Sequence, residues 1–386
     1  MNRKFGKFAK IIVVFIAVVI ISAIIFNKLI NTKYESLNDM DRKILNQLSE
    51  VYKIYNNNSK EIWKEDYNVN DIPIVLTPAK KENGMFHLYS YVIGVDKFKS
   101  SIFSKEIEVP EEMNLPPIYK VSFLSPTLLK QWLPINFIFS DIDDEHVAFF
   151  KYNPVNTESE DTEEAFKYFF MHEVFHEYRQ VPIWKDINSL ISSIYTAERN
   201  KEQYQLLITE LAILDKAEKA GTKDELRNIL NDFVTIRDFR YDKFTYMEQE
   251  KKVETLEGTA QYIEYKYSSL VQDKVKPPIT VNGNKYNFLD VFNEKTLNAF
   301  VNLNGFIDKD LYYYTGAIQE TYLDKLEVEW KNRVENNELI YDILKEEVKK
   351  NWVNSEKSVD DIKNEYGYNN FEDEAEIIVN ILKENS

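Results

Sequence analysis

The chain is organised around residues 171–177, which read Met171-His172-Glu173-Val174-Phe175-His176-Glu177. This stretch contains the pattern His-Glu-x-x-His and uses two of the four histidines in 386 residues. Positions i and i+4 of a helix lie on one face, so His172 and His176 can bind the same metal ion. Glu173 then lies close enough to hold a water molecule bound to that metal. We therefore interpret the stretch as a metal-binding and catalytic motif; the alternative is two surface histidines that happen to fall four residues apart.

The residues around this motif predict one helix. Asp161–Glu164 offer an N-cap and acidic side chains for a first helical turn. The apolar pattern continues from Phe166 to Arg179, and Val181-Pro182 is expected to end the helix. Both histidines should therefore lie on one continuous α-helix.

Composition narrows the class of protein. A chain of 386 residues with 44% hydrophobic and 29% charged residues is typical of a folded protein of one or two domains. The net charge of −16 argues against nucleic acid as a partner, because the phosphate backbone would be repelled. Cysteine is absent, which excludes disulfides, cysteine zinc ligands and thiol catalysis.

The N-terminus predicts a membrane anchor. Residues 11–30 are almost wholly apolar, and about 20 such residues cross a hydrocarbon core. No small-x-small cleavage site follows Phe26, which favours an uncleaved signal anchor over a cleaved signal peptide. The basic residues within 1–10 should keep that tail in the cytoplasm, so the rest of the chain is expected outside the cell membrane. Secretion after cleavage is the alternative.

Between the anchor and the motif, the pattern changes from helical to strand-like. Residues 31–69 are expected to form a helical stem, with an amphipathic helix over 36–56 that Asn56–Ser59 breaks. Residues of about 70–155 predict a mixed or antiparallel sheet. Its predicted strands are Ile72–Thr77, Met85–Val95, Ile107–Val109, Ile118–Leu124, Phe137–Phe139 and His146–Tyr152.

The remainder, from about 161 to 386, is mostly helical in pattern, with a possible short hairpin at Ile279–Phe288. The predicted helical segments are Ile187–Tyr195, Lys201–Ala220, Asp224–Gln272, Leu289–Leu303, Thr315–Val334, Leu339–Trp352 and Glu372–Lys383. Pro277-Pro278 and Asn282-Gly283-Asn284 mark loops. The sequence thus predicts an α+β fold in which a sheet precedes a helical region, with residues 70–386 as one extracytoplasmic domain.

A catalytic zinc site needs three protein ligands and one open position for water. The best third candidate is Glu257, which lies on a largely apolar helical stripe where a carboxylate must be paired, metal-bound or protonated. Gly258 beside it suggests a close approach of another backbone. Other candidates remain open, and they are Glu210, Glu254, His87 and His146.

These residues resemble the gluzincin metallopeptidases, of the thermolysin and zinc-aminopeptidase type. That group combines His-Glu-x-x-His with a later helix bearing Glu-Gly-x-Ala, which is found here at residues 257–260. The resemblance implies a zincin-like catalytic region in which Glu257 is the third zinc ligand. It has two departures: residues 177–256 form a much longer interval between the motifs, and the Gly-x-Met-Glu-Asn substrate motif of the aminopeptidases is absent.

A further part of the resemblance concerns Tyr313, in Tyr312-Tyr313-Tyr314-Thr315-Gly316, at a predicted loop-to-helix junction. The zinc aminopeptidases carry Tyr-x-x-Gly there, and its phenol stabilises the oxyanion. The resemblance implies this role for Tyr313, and ordinary packing is the alternative. Arg237 and Arg240 could bind a substrate carboxylate, or they could form salt bridges with the abundant acids.

We therefore expect a membrane-anchored zinc peptidase that acts on peptides or proteins outside the cell. His172, His176 and Glu257 would hold Zn2+, Glu173 would serve as general base, and Tyr313 would assist the oxyanion. The second hypothesis is a metal-stabilised, catalytically degenerate cell-surface binding protein.

Overall fold

The computed structural model describes residues 2–29, 32–159, 165–190, 199–244, 249–272, 279–281, 284–350 and 357–384. The chain divides into two compact units, Met1–Phe170 and Met171–Ser386. The first unit contains a six-stranded sheet, and the second is mostly helical. The predicted α+β class, with a sheet before the helical region, is confirmed.

The first unit begins with two long helices and continues into the sheet. Its helices are α1 (Asn2–Leu29), α2 (Asp39–Ile62), α3 (Pro154–Glu158) and α4 (Phe166–Phe175), the last of which extends into the second unit. Its strands are β1 (Ile74–Pro78), β2 (Tyr89–Ile93), β3 (Ser104–Ile107), β4 (Ile118–Ser122), β5 (Phe137–Ile142) and β6 (Glu145–Tyr152).

The sheet has the strand order β3-β4-β2-β1-β6-β5. Strands β1 and β6 are parallel, with Ile74 opposite Ala148, and the other neighbouring pairs are antiparallel. Each of the six predicted runs overlaps one strand. The sequence predicted a mixed or antiparallel sheet, and the sheet is mixed. The runs were recognisable because their β-branched and aromatic residues, among them Val75, Val92 and Phe149, form a buried core.

Helix α2 matches the predicted amphipathic helix but does not end where the sequence suggested. It continues through Asn56–Ser59 to Ile62. Only Asn58 departs from helical backbone angles, with φ −137° and ψ 22°, and its side-chain amide donates to the Ile54 carbonyl at 2.8 Å. The predicted break is therefore a kink, because the amide satisfies a carbonyl group that the distorted turn leaves free.

A buried carboxylate fastens α2 to the sheet. Asp41 is fully buried and accepts hydrogen bonds from the hydroxyls of Tyr89, Tyr91 and Tyr152 at 2.7, 2.6 and 2.6 Å. The Asn38 amide donates to the same carboxylate at 2.9 Å. These four donors satisfy a charge that would otherwise be costly to bury, so Asp41 stabilises this packing.

The second unit consists mainly of helices. They are α5 (Val181–Ile183), α6 (Lys201–Glu218), α7 (Lys223–Lys243), α8 (Gln249–Gln272), α9 (Phe288–Val291), α10 (Glu294–Leu297), α11 (Leu303–Gly305), α12 (Leu311–Lys325), α13 (Lys331–Glu335), α14 (Ile340–Lys350), α15 (Val359–Glu365) and α16 (Glu372–Glu384). The antiparallel strands β7 (Ile279–Val281) and β8 (Asn284–Tyr286) confirm the predicted hairpin.

Three predicted helices of the second unit are broken. The segment Thr315–Val334 divides because α12 ends at Lys325 and α13 begins at Lys331. The segment Asp224–Gln272 divides at Phe244, whose φ of −126° and ψ of 67° end α7. The segment Leu289–Leu303 divides into short helices, since the Asn293 side chain caps α10 by accepting from the Thr296 backbone amide at 3.0 Å. The predicted features at Asp161–Glu164, 191–195, Pro277-Pro278 and Asn282-Gly283 lie outside the described residues.

The structure does not support the transmembrane signal anchor predicted for residues 11–30. Of the helices in the described part of the chain, none combines the length and the apolar character that a bilayer crossing requires.

Two glycines allow α8 and α12 to cross closely. A Cβ atom on Gly258 would lie 2.7 Å from the Gly316 Cα, and one on Gly316 would collide with the Glu254 carbonyl oxygen. The close backbone approach predicted at Gly258 is therefore confirmed. Since Glu257 precedes one glycine and Tyr313 lies one turn before the other, this crossing fixes where both side chains stand.

Candidate metal centre

The two motif histidines lie at a change of helix type. His172 belongs to α4, whereas His176 begins a π-helical turn over His176–Gln180. The helix was expected to end at Val181-Pro182, but it continues as α5 to Ile183 and becomes extended at Trp184. Pro182 lies in the first turn of α5, where proline is tolerated because the N–H that it lacks would have no partner within that helix. Turns of π type are frequent at functional sites.

The structure brings His172, His176 and Glu257 together, with one ligand atom of each within 4.8 Å of the others. The two histidine Nε2 atoms are 3.0 Å apart, and Glu257 Oε2 lies 3.1 Å from that of His176 and 3.7 Å from that of His172. Tetrahedral zinc with bonds of about 2.0–2.2 Å requires its ligand atoms to be about 3.3–3.6 Å apart. The donor set therefore fits a zinc ion with only small adjustments.

A second set of side chains orients the two imidazoles. Glu264 Oε1 lies 2.7 Å from His172 Nδ1, and Gln180 Oε1 lies 2.5 Å from His176 Nδ1. The Gln180 amide nitrogen donates to the Leu256 carbonyl at 2.8 Å, so its oxygen must be the atom that accepts from His176. Both Nδ1 atoms therefore act as donors, which leaves both Nε2 atoms to face the shared point, where each can bind a metal once it is deprotonated.

Sequence reasoning did not assign these two orienting residues. Glu264 lies seven positions after Glu257 on the same face of α8, and Gln180 follows His176 by four positions. The sequence signal that could have identified both residues was therefore their helical spacing from a proposed metal ligand. It was insufficient because the partner of Glu264 is 92 positions away in sequence.

The electrostatics of the cluster favour a cation. Burial alone would lower the pKa of His172, but the Glu257 carboxylate, 3.7 Å from its Nε2, and the hydrogen bond to Glu264 raise that pKa to about 10. Burial raises the pKa of Glu257, and the two histidines more than reverse this, so its pKa is lowered overall. Carboxylates that draw a proton onto a buried imidazole draw a metal cation to the same place.

The carboxyl group of Glu173 belongs to the same electrostatic cluster. Burial raises its pKa from 4.5, while the charges of His172 and His176 act in the opposite direction. Its side chain is only partly exposed. The proton affinity of this group is therefore shifted toward the range in which a general base works.

Tyr313 lies at this centre too. Its ring stacks on His172, with centroids 5.9 Å apart and planes at 16°, and its hydroxyl is hydrogen-bonded to Glu257. The Lys309 ammonium is 5.3 Å from the ring centroid and 3.5 Å from Glu257 Oε1. The prediction that Tyr313 lies where a loop meets a helix is wrong. A π-helical turn, Phe306–Asp310, leads directly into α12.

The rival acids have other partners. Glu210 and Glu254 both bind Arg237, at 2.9 and 2.8 Å, and Glu210 also binds Arg240 at 2.6 Å. Glu250 also belongs to this cluster, because it accepts a hydrogen bond from Arg240 at 2.7 Å. The side chains of the three glutamates and the two arginines are fully buried. The two arginines thus form salt bridges, which was one of the two alternatives for them.

The remaining histidines lie in the first unit. His146 Nδ1 pairs with Asp141 at 2.7 Å on the exposed end of β6. His87 bonds the Met85 carbonyl at 3.1 Å and packs on the Trp132 ring at a centroid distance of 4.7 Å. Both behave as ordinary side chains of a sheet and its loops.

The residues that the structure describes contain one group of three potential ligands for a metal, His172, His176 and Glu257. It has the donors of a catalytic zinc site, and a carboxylate and a phenol stand beside it. Comparisons of this chain with known protein families, with curated proteins and with solved structures find no match.

Proposed function

We propose that this chain is a zinc-dependent peptidase that hydrolyses peptide bonds with an activated water molecule. The observation that carries the proposal is the convergence of His172 Nε2, His176 Nε2 and Glu257 Oε2 within 4.8 Å of one another. Two imidazoles and one carboxylate are a frequent donor set for catalytic zinc, and they leave a fourth position for water or substrate.

Zinc held by these three side chains would polarise the scissile carbonyl and lower the pKa of the attacking water. Glu173 takes the proton from that water onto its carboxylate. It later delivers the same proton to the leaving amine. Its raised pKa suits both steps, because the group must hold the proton between them.

Tyr313 supplies a hydrogen-bond donor to the oxygen on which negative charge develops. Burial and the neighbouring Glu257 raise its pKa, so the phenol keeps its proton at neutral pH. The single hydroxyl hydrogen bonds Glu257 in the structure, and it would turn to the developing charge once Glu257 holds the metal.

Glu264 and Gln180 keep the reaction geometry fixed. Each accepts a hydrogen bond from Nδ1 of one imidazole, which stops the ring from rotating and increases the basicity of the opposite nitrogen. Gln180 also ties the π-helical turn to the carbonyl of Leu256 beside Glu257, so two ligands move together.

The test uses Glu173→Gln, with Glu177→Gln, about one turn further along the chain, as its matched control. We expect the purified wild-type chain to cleave members of a mixed peptide library, as read by mass spectrometry. Glu173→Gln should lose cleavage by a factor of at least about 100 while it retains zinc, and Glu177→Gln should cleave normally.

The same experiment distinguishes the proposed peptidase from the second hypothesis. A metal-stabilised binding protein would hold zinc and lose thermal stability on chelation, yet wild type would cleave no peptide. Equal cleavage by wild type and Glu173→Gln would contradict the proposed mechanism.

We also propose that the catalytic region faces the outside of a membrane. The support is the basic segment 1–10 followed by the apolar residues 11–30. Since the chain lacks cysteine, Glu111→Cys provides a single exposed thiol in the first unit. A membrane-impermeant maleimide should label this variant in intact cells, and labelling that occurs only after lysis would contradict the proposed location.

A further inference from the structure

The first unit contains a cavity of about 300 Å³ that takes no part in the proposed hydrolysis. A cavity of this volume suits a ligand at the small end of the usual range. It lies beside the end of β6 and the start of α4, and six of its lining residues carry the argument: Glu82, Asn136, Lys151, Asn153, Phe166 and Phe169.

Lys151 is a buried charge in the wall of this cavity. The residue is 5% exposed, and its ammonium group donates to the Leu133 carbonyl. Within the described part of the chain, no carboxylate lies within salt-bridge distance of it. Burial lowers its pKa, as expected for a cation without a counter-ion. An ammonium has three donor hydrogens, so two remain for a ligand.

Asn153 provides the cavity with a hydrogen-bond donor, and Glu82 provides it with an acceptor. Asn153 Oδ1 accepts from the backbone amides of Val155 and Asn156 at 2.8 and 3.2 Å, and its side-chain nitrogen has no partner among the described residues. Glu82 Oε1 accepts from the Asn136 amide at 3.0 Å, which leaves Oε2 as an acceptor. The cavity therefore offers donors from Lys151 and Asn153 and an acceptor from Glu82.

Two phenylalanines give the cavity an apolar wall. Phe166 and Phe169 pack edge to face on Phe150, with centroid distances of 5.8 and 5.9 Å. Phe137 packs on Phe169 in the same way at 5.1 Å. These contacts hold the two rings in place, so the wall is preformed for an apolar group.

We propose that this cavity binds a free α-amino acid with an apolar side chain. Its carboxylate would accept from Lys151 and Asn153, and its ammonium group would donate to Glu82. Its side chain would lie on Phe166 and Phe169. A ligand with only an anionic group would satisfy Lys151 but leave Glu82 opposite a like charge, which is why the zwitterion fits best.

Three ligands test this assignment by isothermal titration calorimetry on the full chain. L-Phenylalanine should bind with a dissociation constant of about 1 mM or tighter. 3-Phenylpropionate lacks the ammonium group and phenethylamine lacks the carboxylate, so each should bind at least about tenfold more weakly. Absence of L-phenylalanine binding at about 10 mM, or equal affinity for all three, would overturn the proposal.

Two variants locate the binding. Lys151→Met should abolish L-phenylalanine binding. Glu82→Gln should weaken L-phenylalanine binding and tighten the binding of 3-phenylpropionate, because it removes the like charge opposite that carboxylate. Lys99→Met and Glu111→Gln are matched controls at exposed positions of the same unit, and both should bind as wild type does. Unchanged binding by Lys151→Met, in a variant whose thermal unfolding is cooperative, would refute the site. Because the titration is performed with chelator present, its outcome is independent of zinc and of hydrolysis.

Discussion

Replacing Gly258 with alanine should damage the metal centre more than it damages the fold. The added Cβ would lie 2.7 Å from the Gly316 Cα and 3.1 Å from the Ala317 nitrogen. Carbon atoms pack at about 3.5 Å or more, so α8 and α12 must separate by about 0.8 Å. The atoms in the way belong to the backbone, so no side-chain rotation can relieve the clash.

This displacement should affect the free energy of unfolding and the rate of hydrolysis to different extents. Overpacking should lower the free energy of unfolding by about 1–3 kcal/mol. The higher helix propensity of alanine relative to glycine offsets about 1 kcal/mol of that loss. The net loss should be at most about 2 kcal/mol. For catalysis, a shift of about 1 Å between Glu257 on α8 and Tyr313 on α12 can cost about 100-fold in rate.

The assay compares Gly258→Ala with Gly221→Ala. At Gly221 the nearest atom to an added Cβ is a Glu225 side-chain oxygen at 3.6 Å, an ordinary contact. We expect Gly258→Ala to show weaker zinc binding in a chelator competition and about 100-fold slower hydrolysis, with a modest shift in its urea midpoint. Gly221→Ala should match wild type. Zinc affinity and hydrolysis unchanged in Gly258→Ala would refute the role given to this crossing.

Three further predictions follow from single groups. Glu264→Gln should weaken zinc binding by about 10–100-fold, because a neutral amide orients His172 less firmly; unchanged affinity in a chelator competition would argue against this. Hydrolysis should fall as pH decreases through the pKa of Glu173, and burial places that midpoint above 4.5; a pH–rate profile that is flat down to pH 4.5 would contradict it. Arg240→Met should lower the free energy of unfolding in urea by about 3–5 kcal/mol, because it leaves the buried Glu250 carboxylate without a cation and Glu210 with Arg237 alone. Arg227→Met, at a partly exposed ion pair, should cost under about 1 kcal/mol, and equal losses in the two variants would refute that reasoning.

The long interval between the two motifs has a structural role. Residues 177–256 include α6 and α7, which contribute Glu210, Arg237 and Arg240 to the buried ion cluster. Arg237 binds Glu254 through both carboxylate oxygens at 2.8 Å. Glu254 lies one turn before Glu257, so the interval fixes the helix that carries the proposed third ligand.

What the sequence could predict was mostly local. His172 and His176 are four residues apart, and helical geometry alone places them on one face. The strands were recognisable because β-branched and aromatic residues recur in short runs, as in the β6 segment His146–Tyr152. Gly258 was informative because a glycine within a helical pattern usually has a packing reason.

Features that depend on distant partners could not be predicted. The pairing of Arg240 with Glu210 joins residues 30 positions apart, and periodicity does not specify which acids meet which arginines. The break at Phe244 and the kink at Asn58 were not predicted, because tertiary packing and side-chain hydrogen bonds override the helical pattern at single positions. The π-helical turn after Phe175 has no sequence signature that distinguishes it from an α-helix.

The most direct test of the central claim is the zinc content of the purified full chain, measured by atomic emission beside Glu257→Gln. We predict about one zinc per wild-type chain and a large loss in Glu257→Gln, since an amide oxygen is a weaker zinc ligand than a carboxylate. The control Glu177→Gln should keep its zinc. A wild-type chain that binds no stoichiometric zinc when zinc is supplied would contradict the account.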